Sequence, residues 1–407
     1  MRVPLAPSGL RDSDIQAINR VLVSGNLTMG QEVLSFEKEM ARYLKVKHFV
    51  MVNSGSSANL AIVEALLRPS LGTQKLKLGD GVLVPAIAWP TTVWPLIQLG
   101  LRPIFVDVEE NTMAIDLAKA QEIINNSQLN VAGIFPIHPL GFGIPSFFLE
   151  QFCKNNQLVL IEDVCESLGS WNGESHSGTT GIMSSFSFYF SHHMTTMEGG
   201  GIATNDDHFA NDIKSIRSHG WSRDRSDSSK WSFEVHPSMQ KFNFVSTGFN
   251  IRPMEIQAAV GLEQLKDLEM FINKRRENVY KVQQRLEGTN LKILGLADDD
   301  KVMLRRDHSW MHIPIKIIGN PETITERRSR IVRFLEDFGV ETRPPLTGNF
   351  VKQPAMVRYE PKATQESFPV ADRISSSVFL VGCHHDLSNE QIEHLSIKLR
   401  EAALKIS

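Results

Sequence analysis

The chain has no lysine between Lys154 and Lys214, although lysine and arginine together make up 43 of its 407 residues. Enzymes that bind a carbonyl compound through an imine need a lysine nitrogen in the site. A site built from this stretch would therefore have to take such a lysine from another part of the chain, or work without one.

Cysteine is also scarce, with three residues at Cys153, Cys165 and Cys383. Their spacing forms neither a disulfide framework nor a CxxC pair, which is typical of reduced thiols in a cytoplasmic protein. Three scattered thiols cannot supply the four thiolates that hold an iron–sulfur cluster. We therefore expect no such cluster.

Long apolar runs are missing as well, and the charges nearly balance. Met1 to Leu5 contains no apolar stretch of the kind found in secretion signals, and no run reaches the length of a membrane span. A formal net charge of −3 gives no reason to expect nucleic acid or an anionic membrane as partner. We expect a soluble, cytoplasmic protein.

Two adjacent histidines, His192 and His193, lie inside the lysine-free stretch and raise the question of a metal site. Adjacent residues on a strand point to opposite faces, so one ion rarely takes both. No acidic or cysteine residues with ligand spacing accompany them. We predict no metal.

Short apolar runs alternate with helical patterns over the first half of the chain and predict an α/β fold. The strand-like runs are Phe49–Val52, Val82–Pro85, Pro103–Asp107, Val131–Phe135 and Leu158–Asp163. Such runs are typical of a mostly parallel sheet covered on both faces. We place a large α/β domain, with two N-terminal helices, at residues 1–285 and a small α+β domain at residues 286–407.

A long loop and a long helix are predicted before the domain boundary at residue 286. Ser222 to Ser246 is polar and aromatic, which favours a long functional loop. Pro253 to Glu287 has apolar residues at helical spacing and is followed by Gly288, which predicts one long helix.

A phosphate site is predicted where the first strand leads into a helix. Asn53 to Leu60 reads N-S-G-S-S-A-N-L. Backbone amides and hydroxyls at such a helix start, here those of Gly55, Ser56 and Ser57, can cradle a phosphate. The same pattern also occurs in ordinary helix caps.

Asp163 and Trp89 each follow a strand and favour an aromatic cofactor. Asp163 ends a strand of the parallel sheet, at the crevice where doubly wound folds bind ligands, and there it can keep a pyridine nitrogen protonated. A helix N-cap aspartate is the alternative. Trp89 can stack on an aromatic ring, although a lone tryptophan is more often part of a core.

The segment from Phe186 to Gly200 reads F-S-F-Y-F-S-H-H-M-T-T-M-E-G-G. It resembles the lysine motif of the DegT/DnrJ/StrS sugar aminotransferases, roughly F-S-F-x-x-x-K-x-x-T-x-G-E-G-G. His192 stands where that family has the lysine that links pyridoxal phosphate. The order of phosphate cradle, aromatic residue, aspartate and this motif resembles the aspartate-aminotransferase fold from end to end. An imidazole can move protons but cannot form the imine.

The resemblance implies further site residues. Ser187 would bind the cofactor's phosphate, and Glu166 would join Asp163 in the cofactor site. Asn250 would reach the phosphate from the neighbouring subunit, which implies a homodimer with shared active sites; a turn residue is its alternative. His219 resembles a second catalytic histidine near the sugar, and a surface histidine fits the sequence equally well.

With His192 in the lysine position, the chain resembles the histidine-bearing branch of the family. Members of this branch are 3-dehydratases of nucleotide-linked 4-keto-6-deoxy hexoses, and the resemblance is strongest to those that act on GDP-4-keto-6-deoxy-D-mannose in colitose synthesis for lipopolysaccharide O-antigen. It implies non-covalently bound pyridoxal 5'-phosphate and pyridoxamine 5'-phosphate, L-glutamate as amino donor, and release of 2-oxoglutarate, ammonia and a 4-keto-3,6-dideoxy sugar. His192 would be the catalytic base.

Two other functions fit the sequence: a nucleotide-sugar 4-aminotransferase that takes its lysine from elsewhere, and a non-catalytic nucleotide-sugar-binding relative. The nucleotide's diphosphate needs cationic partners. The candidates are Arg223, Arg225, Lys241, Arg252 and Arg343, each of which also fits a solvated surface charge.

Overall fold

The structure, a computed structural model, describes residues 1–7, 9–70, 74–126, 130–234, 236–296 and 302–406. The α-helices are α1 (Asp12–Ser24), α2 (Gln31–Leu44), α3 (Gly55–Leu67), α4 (Pro90–Gln98), α5 (Leu117–Asn126), α6 (Ser146–Asn156), α7 (Asp207–Ile216), α8 (Glu255–Lys266), α9 (Leu268–Leu286), α10 (Ile324–Asp337), α11 (Pro354–Tyr359), α12 (Pro369–Ser377) and α13 (Asn389–Lys405). The strands are β1 (His48–Val52), β2 (Gly81–Pro85), β3 (Arg102–Val106), β4 (Val131–Ile134), β5 (Val159–Asp163), β6 (Trp171–Asn172), β7 (Ser175–His176), β8 (Met183–Ser187), β9 (Gly200–Thr204), β10 (Leu291–Ile293), β11 (Ile313–Ile317), β12 (Thr342–Arg343) and β13 (Val378–Val381).

The larger sheet has seven strands in the order β1-β9-β8-β5-β4-β2-β3. The five strands from β8 to β3 run parallel, whereas β9 pairs antiparallel with both β1 and β8. Every residue of β2, β8 and β9 is buried, as expected for strands in a sheet that is covered on both faces. The predicted α/β fold with a mostly parallel sheet is confirmed.

Helix α3 packs against β8 and β9 and is buried along most of its length. Its apolar residues join those of the central strands in the largest core of the protein, which includes Ile62, Val84 and Ile161. The start of α3 is therefore held firmly beside the carboxyl ends of β5 and β8, where the sequence predicts the cofactor site.

The smaller sheet is antiparallel, in the order β10-β11-β13-β12. Its core takes in Val3 and the second half of α9, including Val279 and Leu286, in addition to residues from α10 and α13. The division of the chain at residue 286 stays a prediction, and the two separate sheets support it.

The prediction of one helix from Pro253 to Glu287 is wrong. Helix α8 begins at Glu255, and the residue between α8 and α9, Asp267, has φ −107° and ψ 3°, outside helical geometry. Its carboxylate accepts a hydrogen bond from Arg11 Nη1 at 2.5 Å. A contact between residues this far apart in the chain cannot be seen in the spacing of apolar residues.

The loop predicted from Ser222 to Ser246 contains the short 3-10 helices Ser228–Glu234 and Pro237–Phe242. An isolated bridge between Trp221 and Phe244 closes the segment. Elsewhere, none of the helices within the described residues combines the length and the apolar character needed to cross a bilayer.

Candidate active site

A cavity of about 280 Å³ lies between the start of α3 and the carboxyl ends of β5 and β8. The described residues that line it are Ser54, Gly55, Ser56, Trp89, Thr91, Thr92, Ile137, Asp163, Cys165, Glu166, Ser187, Tyr189, Ser191, His192, Glu198, Met311, Arg343 and Leu346. Seven of the ten predicted site residues are in this set. Ser57, His219 and Asn250 are not.

The start of α3 forms one wall of the cavity. Ser54 is the N-cap, and its hydroxyl accepts a hydrogen bond from the Ser57 amide at 3.1 Å. This cap satisfies the Ser57 amide, and Ser57 is absent from the lining. The first amides of a helix have no partner within the helix, so those of Gly55 and Ser56, both at the cavity, are available to an anion.

Glycine is required where α3 meets β8 and β9. A Cβ on Gly55 would lie 2.6 Å from Ser187 Cβ and 2.9 Å from Cys165 Sγ, and a Cβ on Gly200 would lie 2.3 Å from the Ser54 carbonyl carbon. The side chain of Ser187 and the helix start can approach each other only because these positions lack side chains. The start of α3 and the end of β8 therefore both contribute to the phosphate cradle.

Asp163 ends β5 and is 4% exposed. Its Oδ2 accepts hydrogen bonds from Asn59 Nδ2 at 2.9 Å and from Thr92 Oγ1 at 2.7 Å, while Oδ1 accepts from the Cys165 amide at 3.0 Å. These donors hold the carboxylate in one orientation. Asp163 can therefore present a carboxylate of fixed orientation to the cavity.

Trp89 and Cys165 both line the cavity. Trp89 is the N-cap of α4, with Pro90 in the first turn. Because 47% of Trp89 is exposed, its indole is available for stacking.

The pKa of the Cys165 thiol is raised well above its usual value by burial and by the charge of Asp163. Cys165 is therefore a neutral thiol.

His192 lies in the loop between β8 and β9, and its Nδ1 is buried without a hydrogen-bond partner among the described residues. Burial, together with the charges of Arg275 and Arg343, lowers the pKa of His192 to about 3. The imidazole is therefore neutral near pH 7 and has a lone pair available as a proton acceptor.

Glu166 and Arg343 occupy the same cavity. Burial raises the pKa of Glu166 to about 7, although its carboxylate accepts a hydrogen bond from the Leu140 amide at 3.0 Å and feels the charge of Arg343. Within the described ranges, no carboxylate lies in ion-pair distance of Arg343. Arg343 is thus a cation available to an anionic ligand.

His219 and Asn250 lie outside the cavity and are both exposed. They are neighbours on two segments that pair at Ser218 and Asn250, and the His219 amide donates to the Phe249 carbonyl at 2.8 Å. Asn250 Oδ1 accepts from Arg252 Nε at 3.0 Å. In a single chain neither residue lines the cavity.

The five cationic candidates for the diphosphate differ in environment. Arg225 is buried and pairs with Asp212 at 2.8 Å and Asp227 at 2.7 Å, which leaves it no free face for phosphate. Arg223 stacks on Trp221 at 4.0 Å. The side chain of Lys241 lies outside the described residues, and of the other four candidates only Arg343 lines the cavity.

Sequence reasoning missed Asn59 and Thr92, which orient Asp163. Asn59 lies in the predicted phosphate segment, and Thr92 lies three residues after Trp89. Their contacts with Asp163 span 104 and 71 residues. No local pattern marks such pairs.

Comparison with known proteins gives one family. Residues 9–400 match the model of the DegT/DnrJ/EryC1/StrS aminotransferase family. The chain is 34% identical over 394 residues to GDP-4-keto-6-deoxy-D-mannose 3-dehydratase of Yersinia pseudotuberculosis, which covers 96% of both chains.

Two solved structures agree with this chain in fold. One is a His-to-Asn mutant of GDP-4-keto-6-deoxymannose-3-dehydratase with bound GDP-perosamine, at TM-score 0.86 and 32% identity over 98% of this chain and 100% of that one. The other is the same enzyme with a trapped PLP–glutamate geminal diamine, at TM-score 0.85 and 31% identity over 99% of this chain and 100% of that one. The chain belongs to the DegT/DnrJ/EryC1/StrS aminotransferase family.

Proposed function

We propose that this protein is a pyridoxal-phosphate-dependent 3-dehydratase of a nucleotide-linked 4-keto-6-deoxy hexose, with L-glutamate as amino donor. GDP-4-keto-6-deoxy-D-mannose is the proposed substrate, supported by the 34% identity to an enzyme named for it and by GDP-perosamine in a similar structure. The product would be a 4-keto-3,6-dideoxy sugar, the class to which a colitose precursor belongs.

The observation that carries this proposal is the absence of lysine from the cavity. Its described lining contains His192 and no lysine. A lysine would return the amino group to the sugar by forming an imine with the cofactor. An imidazole can move protons but cannot do this, so water is left to release the amine as ammonia. This distinction favours dehydration over a 4-aminotransferase.

The residues present fit pyridoxal phosphate. The amides of Gly55 and Ser56 and the hydroxyl of Ser187 would hold the phosphate, Asp163 would face the pyridine nitrogen, and Trp89 would stack on the ring. When bound, the cofactor supplies an electron sink and carries the amino group from glutamate to the sugar. The intact, triply hydrogen-bonded Asp163 argues against a non-catalytic relative.

Other side chains of the cavity would transfer protons and bind the substrates. His192, neutral near pH 7, would accept a proton from the reacting carbon and, once charged, would give a proton to the leaving C3 hydroxyl. Arg343 would hold a carboxylate of glutamate or the substrate's diphosphate. Glu166, with its pKa raised to about 7, can exist in either protonation state beside the site.

The proposed homodimer would complete the site with His219 and Asn250. Exposed aromatic side chains lie next to them: Phe242 is 58% and Phe244 54% exposed, and both stack against Trp221. Contiguous exposed aromatic surface of this kind is typical of a covered interface. Asn250 of each subunit would then face the phosphate cradle of the other.

Subunit complementation tests the shared site. His192→Asn and Asn250→Ala would each inactivate both sites of their own homodimer. After the two variants are unfolded together and refolded as a mixture, half of the dimers should be hybrids with one intact site, so about a quarter of wild-type activity should return. No recovery, with hybrids detected by native mass spectrometry, would refute sharing.

The cofactor form tests the enzyme assignment. Addition of glutamate to the protein loaded with pyridoxal phosphate should convert the aldehyde absorbance to that of the amine, and borohydride followed by denaturing mass spectrometry should leave no cofactor-sized adduct. An adduct on any lysine would favour the aminotransferase instead.

We also propose that the protein is located in the cytoplasm, and its three free cysteines support this location.

A further inference from the structure

Arg275 is a fully buried cation directly behind the candidate active site. It lies on α9 and has no exposed surface. Its Nη1 donates to the carbonyls of Trp310 at 3.1 Å and Met311 at 2.9 Å, and its Nη2 donates to the carbonyl of His192 at 3.1 Å. One guanidinium therefore joins the loop that carries His192 to the segment that carries Met311, a residue of the cavity wall.

A buried guanidinium normally needs a carboxylate to compensate for lost hydration. Across the described ranges, no carboxylate lies in ion-pair distance of Arg275. Its hydrogen-bond partners are neutral backbone carbonyls. The titratable or charged groups that interact electrostatically with Arg275 itself are His192, His193, His312, His384, His385, Cys383 and Asp386. Arg343 acts on His192 and His312.

The same face of α9 holds a third segment. Asn278, three residues after Arg275, donates through Nδ2 to the carbonyls of Cys383 and His384, both at 3.1 Å. Phe271, four residues before Arg275, stacks on His385 with ring centres 3.8 Å apart. Residues at this spacing share a helix face. The face of α9 thus contacts three segments, two of which carry residues of the cavity wall, His192 and Met311.

The backbone at Trp310 requires support from surrounding contacts. Trp310 has φ 56°, in the left-handed region that a bulky residue rarely adopts. Its carbonyl bond to Arg275 and the stacking of its indole on His308 at 3.6 Å fix this conformation. Strain of this kind persists only where surrounding contacts over-determine it.

We propose that Arg275 is a positioning residue for His192. Its guanidinium ties the His192 carbonyl to the cavity wall, so that the imidazole stays in one place relative to Met311 and Asp163. This inference rests on the proposed role of His192 as the base. The cation also disfavours protonation of His192, which keeps the ring ready to accept a proton.

Three variants distinguish the effect of Arg275 on the position of His192 from the effect of its positive charge. Arg275→Met removes the charge and all three hydrogen bonds, while Arg275→Lys keeps the charge but concentrates its donors on one nitrogen that cannot span both segments. Arg276→Met is the matched control, because Arg276 neighbours Arg275 on α9 but bonds the carbonyl of His308 and Asn273 instead. Circular dichroism and thermal unfolding would show which variants fold.

Two measurements on the cofactor-free protein follow. Hydrogen exchange of residues 188–196 should be faster in both Arg275 variants than in Arg276→Met. Carbethoxylation of His192, which requires the neutral ring, should begin to decline at a higher pH in Arg275→Met than in the wild type or in Arg275→Lys, because one of the two charges that lower the pKa of His192 is removed while burial and Arg343 remain. With cofactor, misplacement of His192 should slow glutamate deamination by about 100-fold in Arg275→Met.

The outcomes are separable from those for the proposed function. If exchange at residues 188–196 is unchanged in Arg275→Lys or Arg275→Met, Arg275 does not position His192, and the inference is overturned. Should Arg275→Met fail to fold, the exchange of Arg275→Lys decides alone. If exchange rises as expected but His192→Asn retains full activity, the positioning stands and the catalytic role of His192 falls.

Discussion

Acidification of the cofactor-free protein from pH 7 to pH 5 should lower its free energy of unfolding by about 6 kcal/mol. Seven histidines have pKa values lowered mainly by burial: His176, His192, His193, His308, His312, His384 and His385. Hydrogen bonds require the neutral ring in two of them. Gly169 donates its amide to His176 Nε2 at 2.7 Å, and Trp310 donates its amide to His308 Nδ1 at 3.1 Å.

Acidification lowers the free energy of unfolding because the unfolded chain binds protons on these histidines more readily than the folded protein does. The unfolded chain takes up protons near pH 6.5, whereas the folded pKa is about 4 for His176 and about 3 for His192, His384 and His385. Their stabilising contribution is therefore complete above pH 6.5 and is lost as the pH falls toward the folded values. Each costs about 2 kcal/mol between pH 7 and pH 5, or about 8 kcal/mol for the four.

Glu166 opposes this effect, because its pKa is raised to about 7 in the folded protein. The folded state takes up that proton as the pH falls through 7, which stabilises it by about 2 kcal/mol over the same range. The remaining loss of about 6 kcal/mol is a large part of the total stability of an ordinary domain.

Urea unfolding at one protein concentration, at pH 7 and at pH 5, measures this loss. His308→Asn is the matched variant, since the amide oxygen of asparagine can accept the Trp310 N–H without titrating. It should reduce the loss, because His308 no longer takes up a proton on unfolding. A wild-type loss below about 2 kcal/mol would refute the description of these histidines as buried neutral rings.

Three further predictions concern the site. His192→Asn should slow glutamate deamination and sugar dehydration together by about 10²–10⁴-fold, measured as separate single turnovers; an unchanged deamination rate would direct attention to His219. Asp163→Asn should reduce turnover by about two to four orders of magnitude at saturating cofactor, because the ring loses an interaction of about 3–5 kcal/mol with its nitrogen; near-normal turnover would exclude Asp163. Arg343→Gln should raise KM for glutamate or the nucleotide sugar more than it lowers kcat, and steady-state kinetics with each substrate varied would show which anion it binds, or, if neither KM changes, that it binds none.

Most strands and helices of the larger domain could be predicted because local patterns determine them. Buried strands such as β2 and β5 are short apolar runs, and α3 begins with a recognisable cap at Ser54. The break between α8 and α9 could not be predicted, since Asp267 meets Arg11, 256 residues away.

Some residues of the candidate site could likewise be identified from local sequence, and others could not. His192, Asp163 and Ser187 could be identified because they stand in a continuous motif or at a strand end. Asn59 and Arg275 could not, because their importance comes from single hydrogen bonds to distant segments. Nothing in a helical run of charged residues distinguishes a buried arginine from its solvated neighbours.

The product of the complete reaction tests the central claim most directly. The protein would be incubated with GDP-4-keto-6-deoxy-D-mannose, pyridoxal phosphate and L-glutamate, and the nucleotide sugar and ammonia would be quantified by mass spectrometry and enzymatic assay. A dehydratase gives a nucleotide sugar one oxygen atom lighter than the substrate, with one ammonia and one 2-oxoglutarate for each molecule converted. A nucleotide sugar that carries an amino group at C4, formed without ammonia, would contradict the account.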